Sequence, residues 1–294
     1  MTARITQRLL VSRSMSSLQL GLNRLSSSQE KLSTGRNINR PSDSPTGTND
    51  AMRLRADLTA NAQYTRNAQD GQSWLDEADS TLTSMLDQVR RARDLVVQAA
   101  STGSGGPDAR AAIATELTQI RQSLLDDANT QHLGRPLFGG TTSGSKAYDT
   151  SGTYLGDTNA VTRTVGEGVT VAVNVTGPAA FSSSTNDLFT VLSDVIDQIR
   201  TDPAAASGSL SRIDDVQGAM RTAHAEIGTR MNRVEAATSS LSAAALSGSK
   251  SLSDVENVDV AAAIVDLQMQ EVAYQSALGA TSRVLQPTLL DFLR

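Results

Sequence analysis

The sequence predicts a mainly α protein: a helical bundle whose two ends are coiled-coil segments, with a small β-rich insertion between the helical halves. Three observations carry that prediction. Apolar residues near both ends recur at alternating spacings of four and three, the seam of a helix that buries one narrow stripe against another. Aromatics make up only 3% of the 294 residues, so the apolar content is Ala, Leu and Val, suited to thin helical packing. Between residues 134 and 184 the composition changes to Gly, Thr, Ser and Val.

The N-terminal seam reads Val11, Met15, Leu18, Leu22, Leu25, Gln29 and Leu32, with Gln29 as its polar exception. A polar residue in such a seam can fix register at some cost in stability. The helix is expected to stop at Ser33-Thr34-Gly35, where glycine takes the left-handed cap conformation. Residues 36–47 hold two prolines, a glycine and several capping residues, the pattern of a loop that opens a new helix. That second helix is long, from about residue 48 to residue 100. Leu54, Leu58, Ala68, Leu75, Leu82, Leu86, Val89 and Val96 stay in one heptad frame, and Gly71 is the expected bend. Residues 101–106 read as a flexible stop, and Pro107 opens a third helix with Ile113, Leu117, Ile120 and Leu124 on its apolar face.

In the insertion, Val169, Val171, Val173 and Val175 alternate with polar or small residues, as do residues 161–165. Both read as strands, and Gly166-Glu167-Gly168 as their hairpin connection. Helix returns at Asn186-Asp187 with Leu188, Val191, Leu192, Val195, Ile196 and Ile199, and Thr201-Asp202-Pro203 breaks it. Leu210, Ile213, Val216, Met220, Ile227, Met231 and Val234 carry the next stripe, which Ser247-Gly248-Ser249 weakens. A last helix begins between residues 254 and 259 with Val260, Ile264, Leu267, Tyr274, Leu278, Leu285 and Phe292, broadened by Val265 and Val272, and Pro287 bends or ends it.

Charge favours bringing the ends together. Arg4, Arg8, Arg13, Arg24 and Lys31 face a single Glu30 in the first helix, whereas Glu256, Asp259, Asp266, Glu271 and Asp291 outnumber Arg283 and Arg294 in the last. Exposed pairs add only about 0–1 kcal/mol each, so this is a bias and not the driving force.

Chemistry is scarce. No cysteine means no disulfide, no thiolate-bound metal and no thiol nucleophile. His132 and His224 lack metal-ligand spacing and read as solvated polar residues. Gly103-Ser104-Gly105-Gly106 follows a helix and lacks the lysine of a phosphate loop, so it reads as a linker. Arg90, Arg91 and Arg93, beside Asp87 and Asp94, read as a solvated face with i,i+4 pairs. Asn174-Val175-Thr176 reads as a chance match to a glycosylation triplet, and Trp74 as core or interface. We expect no enzyme activity, no cofactor and no metal. A pI near 5.1 argues against nucleic acid, and no run approaches the ~18 apolar residues of a membrane span. The N-terminus also lacks the apolar core of about 7–15 residues that a cleavable signal peptide needs.

What stands out is apolar surface left over. A terminal helix pair with a stripe on each partner cannot bury both alone, and such patches mark assembly surfaces. A head-to-tail contact that does not close builds a helical filament.

Several motifs then narrow the field. The loop running from Arg36 through Asn39, Arg40, Pro41, Ser42 and Asp43 to Pro45 resembles that of hook-associated protein 3, the hook–filament junction branch of the flagellin-like superfamily. Flagellin is similar up to Ile38-Asn39 but usually lacks the Arg-Pro-Ser-Asp segment. The stretches 90–100, 134–141 and 227–235 resemble segments of the same superfamily, with Pro136 replacing an aromatic. The tail Leu289-Leu290-Asp291-Phe292-Leu293 is closer to the junction branch than to flagellin.

The resemblance covers nearly the whole chain and implies an elongated, flagellin-like bundle. Residues 1–42 with 252–294 would be an inner-tube coiled coil, 43–135 with 186–251 a helical rod, and 136–185 an outer β-rich insertion. It implies type III export and a place outside the cell at the hook–filament junction. The implied partners are neighbouring copies in a ring, the first hook-associated protein on the hook side, flagellin on the filament side, and an export chaperone at the C-terminal region. The termini would be largely unfolded before assembly, because a short isolated helix is marginal in water. The expected assembly residues are Met15, Leu18, Leu22, Leu25, Leu32, Ile264, Leu267, Tyr274, Leu278 and Leu285. The alternative is a short flagellin that forms the filament itself.

Overall fold

A computed structural model of the chain describes residues 2–101, 106–201 and 203–285. In chain order the elements are α1 (Thr2–Thr34), α2 (Pro45–Ala100), α3 (Pro107–Ala128), β1 (Gln131–His132), β2 (Arg135–Pro136), β3 (Thr162–Gly166), β4 (Val169–Ala172), α4 (Gly177–Phe181), α5 (Leu188–Thr201), α6 (Pro203–Ala206), α7 (Leu210–Glu256) and α8 (Val260–Leu285). A single 3₁₀ turn, Ser207–Ser209, joins α6 to α7. The chain forms two compact units, one from Met1–Thr59 and Ala245–Arg294, the other from Ala60–Ala244.

The second unit holds the main core, and the expected stripes build it. Ala68, Leu75, Leu82, Leu86, Val89 and Val96 of α2 are all buried, as are Leu117 and Leu124 of α3. So are the six expected positions of α5, and Ile213, Val216, Met220, Ile227 and Val234 of α7. Polar ties fix the helices in this unit. The Asn61 side-chain amide donates to Leu241 O (3.0 Å), and Arg93 Nε to Asp214 Oδ1 (2.6 Å). Arg91 reaches Glu116 on α3 (2.7 Å), and only Arg90 stays on its own helix, with Asp87 (2.7 Å). The cluster is solvated as expected, but Arg91 and Arg93 pair across to other helices and Arg90 pairs at i,i+3, so the i,i+4 pairs its spacing suggests do not form.

Both histidines also join elements. His224 Nε2 lies 2.9 Å from Asp79 Oδ1. His132 is largely buried: its Nδ1 lies 2.6 Å from Glu77 Oε2, and its ring sits 5.1 Å from that of Trp74. The solvated reading is corrected for His132, because the β1–β2 turn, with positive φ at Leu133 and Gly134, folds the ring onto α2.

The expected hairpin forms between β3 and β4, but the second strand ends at Ala172. Beyond it the Asn174 side chain replaces the ladder: its oxygen accepts from Val161 N (2.7 Å) and its amide donates to Asn159 O (3.1 Å). Asn174 is thus a buried structural residue. The hairpin lies on α2, where Arg163 Nε donates to Asp70 (2.6 Å) and Asn67 Nδ2 to Thr164 O (2.9 Å). α2 passes through Gly71 unbroken. The glycine is there for close approach, since a Cβ at that position would stand 2.9 Å from Val173 Cγ1.

The rest of the insertion has an aromatic core that periodicity does not reveal. Phe138, Tyr148, Tyr154, Phe181 and Phe189 meet edge-to-face or tilted, at centroid distances from 4.9 to 6.2 Å. Asn129 caps α3 and clamps this core: its side-chain oxygen accepts from Ala147 N and Tyr148 N, both at 2.8 Å.

Candidate assembly surface

The first unit is built around an antiparallel pair, α1 against α8. α1 ends where expected, with Gly35 at φ +69°. Val258 N donates to Gly35 O (3.0 Å) and Asn37 N to Glu256 O (2.7 Å), which ties the end of α1 to the turn between α7 and α8. Asp259 caps α8 through Ala261 N (3.0 Å) and Ala262 N (3.1 Å).

The loop residues organise this turn. Asp43 Oδ2 accepts from Arg40 N (2.8 Å) and Asn39 N (3.0 Å), and these bonds to the ionised form hold its carboxyl below the usual carboxylate range. Arg40 pairs with Glu30 (3.2 Å), while Pro41 and Ser42 are exposed. Ser44 accepts from Gly47 N (3.2 Å) and so caps α2, with Pro45 in its first turn. Below the loop, Arg55 pairs with the largely buried Glu256 (2.7 Å).

On α1 the seam with α8 differs from the expected one in three of its seven positions. The heptad-spaced residues withdrawn from solvent on α1 are Val11, Ser14, Leu18, Gly21, Leu25, Ser28 and Leu32, with Glu30 and Lys31 half-buried beside them near the loop. Val11, Leu18, Leu25 and Leu32 are as expected, but Ser14, Gly21 and Ser28 take the places assigned to Met15, Leu22 and Gln29. Small residues let the two backbones approach. A Cβ on Gly21 would meet Tyr274 Cδ2 at 3.3 Å, and the buried Ser28 hydroxyl donates to Asp266 Oδ2 (3.0 Å). On α8 the half-buried set is Ala263, Leu267, Gln270, Tyr274 and Thr281. Among the described residues no ion pair joins the two helices, so hydrophobic contact and the Ser28–Asp266 bond hold the pair.

The expected assembly residues therefore divide. Leu18, Leu25, Leu32, Leu267 and Tyr274 are half-buried in the seam. Met15 (59% exposed), Leu22 (48%), Ile264 and Leu278 face away from it. Leu285 ends α8, and its side chain lies outside the described residues, as do Pro287 and the tail motif. Val265, Met269 and Val272 form a further exposed stripe along α8 at spacings of four and three; the sequence expectation has Val265 and Val272 only broadening the seam and does not include Met269. Beside the seam runs an open groove of about 520 Å³ lined by Leu20, Gly21, Arg24, Met269, Ala273 and Tyr274. The arrangement is a helix pair with one internal seam and apolar residues on its outward faces. Among the described residues no cluster of metal-ligating side chains occurs, and no helix is long and apolar enough to cross a membrane.

The chain is similar to known proteins in sequence and in fold. The bacterial flagellin N-terminal helical region matches residues 5–143, and the bacterial flagellin C-terminal helical region matches residues 210–293. Flagellar hook-associated protein 3 of Escherichia coli strain K12 is 27% identical over 277 residues, which span 85% of this chain and 87% of that protein. Flagellin of Bacillus subtilis strain 168 is 28% identical over 307 residues, 93% of this chain and 96% of the relative. The solved structure of a hook-associated flagellar protein from Vibrio parahaemolyticus superposes with a TM-score of 0.67 at 26% identity, covering 73% of this chain and 100% of the other.

Proposed function

Because the chain belongs to the flagellin-like family of bacterial flagellar structural proteins, and stands in it beside hook-associated protein 3, we propose that it is the adaptor that joins the hook-associated zone to the flagellin filament. It is built in by axial helical assembly. Neighbouring copies complete a ring, the first hook-associated protein lies on the hook side and flagellin on the filament side. The subunit travels through the type III export channel, its C-terminal region is handed over by an export chaperone, and it works outside the cell. Residues 1–42 with 252–294 form the inner tube, 43–135 with 186–251 the rod, and 136–185 the outer insertion.

The observation that carries this reading is the set of outward apolar residues on both helices of the terminal pair: Met15 and Leu22 on α1, and Val265, Met269 and Val272 on α8. Solvent exposure of that surface is costly unless neighbours cover it. Each added subunit gains about 25 cal/mol per Å² of apolar area buried, less the entropy of ordering its ends.

Deleting the gene in its host, imaging the flagella and assaying flagellin in the medium tests the reading. Bare hooks with unpolymerised flagellin in the medium are expected. Filament-less, capped hooks with little flagellin in the medium would mean that the chain is itself the flagellin. Normal filaments would refute both.

A further inference from the structure

The methionines are unevenly placed. Met85 and Met220 are fully buried in the second unit, and Met231 packs against its core. Met15 (59% exposed), Met52 (63%) and Met269 (64%) all lie in the unit that carries the candidate assembly surface. Met15 shares an outward face of α1 with Leu22, one heptad on. Met269 is the centre of the Val265–Met269–Val272 stripe and lines the groove beside the seam. Met52 borders the pocket under the loop, next to Ala51 and Arg55. The chain has no cysteine, so no thiol competes for an oxidant.

We propose that Met15, Met52 and Met269 are modified by hydroperoxides, and that oxidation of Met15 and Met269 stops the unassembled subunit from being incorporated. The inference rests on the assembly reading above. The thioether sulfur attacks one peroxide oxygen, an S–O bond forms and the O–O bond breaks. Hydrogen peroxide leaves as water; the sulfur is oxidised by two electrons and the peroxide reduced by two. The product is a sulfoxide, a strongly polar group on a side chain that assembly must bury. Its oxygen needs a hydrogen-bond donor, and the outward apolar neighbours, Leu22 beside Met15 and Val265 and Val272 beside Met269, offer none, whereas Met52 lies among polar side chains and reports exposure only. Once neighbours cover these residues the sulfurs are shielded, so the sensitivity belongs to the free subunit. A thiol-dependent sulfoxide reductase reverses the change.

The test is made on the full-length chain. Purified subunits are treated with hydrogen peroxide, mapped by peptide mass spectrometry, and added to isolated hooks ending in the first hook-associated protein. Oxygen is expected first on Met15, Met52 and Met269, with Met85 and Met220 spared. Addition is expected to fall at least tenfold and to recover after reductase treatment. The M15L/M52L/M269L variant, a volume-conserving change, is expected to keep its addition under peroxide. Undiminished addition by oxidised protein, a variant as sensitive as the parent, or equal oxidation of Met85 and Met220 would overturn the proposal. The mapping is read on the unsubstituted chain and so does not depend on how the variant folds. Untreated protein that fails to add would overturn the assembly reading itself, and this inference with it.

Discussion

Substituting Leu22 in graded steps separates a surface used for assembly from one that is merely exposed. Leu22 keeps 48% of its area in solvent although it sits in the middle of α1, so the isolated subunit draws little stability from it. Leu22→Ala removes three carbons, worth about 2.4 kcal/mol at full burial. Only about half of that remains to be gained when neighbours cover the site, or about 1 kcal/mol, which is roughly a fivefold weaker addition per subunit. Leu22→Asp adds an ion that the apolar surroundings cannot pair. The cost then rises to about 3 kcal/mol or more, at least a hundredfold. Leu22→Met preserves volume and is expected to add like the parent. Addition of purified subunits to isolated hook ends, counted by electron microscopy, gives the affinity series, and soft-agar motility gives its consequence in cells. Circular dichroism should show the second unit unchanged in all three variants. A motile Leu22→Asp strain, or Ala and Asp variants that add like the parent, would refute the argument.

Four further expectations concern the second unit. Gly71→Ala gains about 1 kcal/mol of helix propensity but forces Val173 away, an overpacking cost of about 1–3 kcal/mol; a net loss is expected in denaturant melts. A double-mutant cycle with Val173→Ala should show coupling above about 0.5 kcal/mol, and simple additivity would refute the contact. Tyr148 is buried and its hydroxyl has no partner among the described residues, so Tyr148→Phe is expected to leave the melting temperature unchanged or raise it; a clear drop would reveal a missing partner. Asp157 accepts from the Thr141 hydroxyl (2.6 Å) and the backbone of Thr141 (2.8 Å) and Asn159 (3.0 Å), which pushes its pKa from 3.8 down to about 2. A folded value below the unfolded one stabilises above pH ~4, and the gain is lost as pH falls through about 2. Near-UV circular dichroism of Asp157→Asn should therefore lack the part of the acid transition that the parent shows in that window.

How much the sequence discloses depends on how many partners a residue must satisfy. The stripes of α5 and α7 face one core, and spacing alone locates most of their buried positions; on α2, which is covered on more than one side, it locates about half, and Trp74, Met85 and Leu95 are buried outside the stripe. The aromatic cluster escapes that reading because Phe138, Tyr148 and Tyr154 sit on irregular chain, where no period exists and contact depends on Asn129 folding residues 147–148 back onto α3. Gly71 misleads for a related reason. A glycine in a helix reads as a bend, whereas here it also answers to Val173, just past β4 and far away in sequence.

The termini pose a different problem. On α1 two heptad registers share Val11, Leu18, Leu25 and Leu32, and differ in whether Ser14, Gly21 and Ser28 or Met15, Leu22 and Gln29 complete them. Hydrophobicity favours the second set because a leucine outweighs a glycine. The structure takes the first because Tyr274 comes within reach of the position a Gly21 Cβ would occupy, and because Ser28 can meet Asp266. The large residues that hydrophobicity selects are thereby left outside. Had α1 been selected to pair with α8 alone, Met15 and Leu22 would carry no advantage over polar residues on the outward face. Their exposure follows if one helix must serve two contacts at once, a narrow small-residue seam within the subunit and a broad apolar face toward its neighbours. Heptad spacing by itself merges those two contacts into a single stripe. Exchanging Gly21 and Leu22 for each other keeps the composition of α1 while spoiling both surfaces. If the two contacts are separate, that swap abolishes addition to hook ends, whereas Gln29→Leu, which enlarges only the outward face, leaves the seam intact.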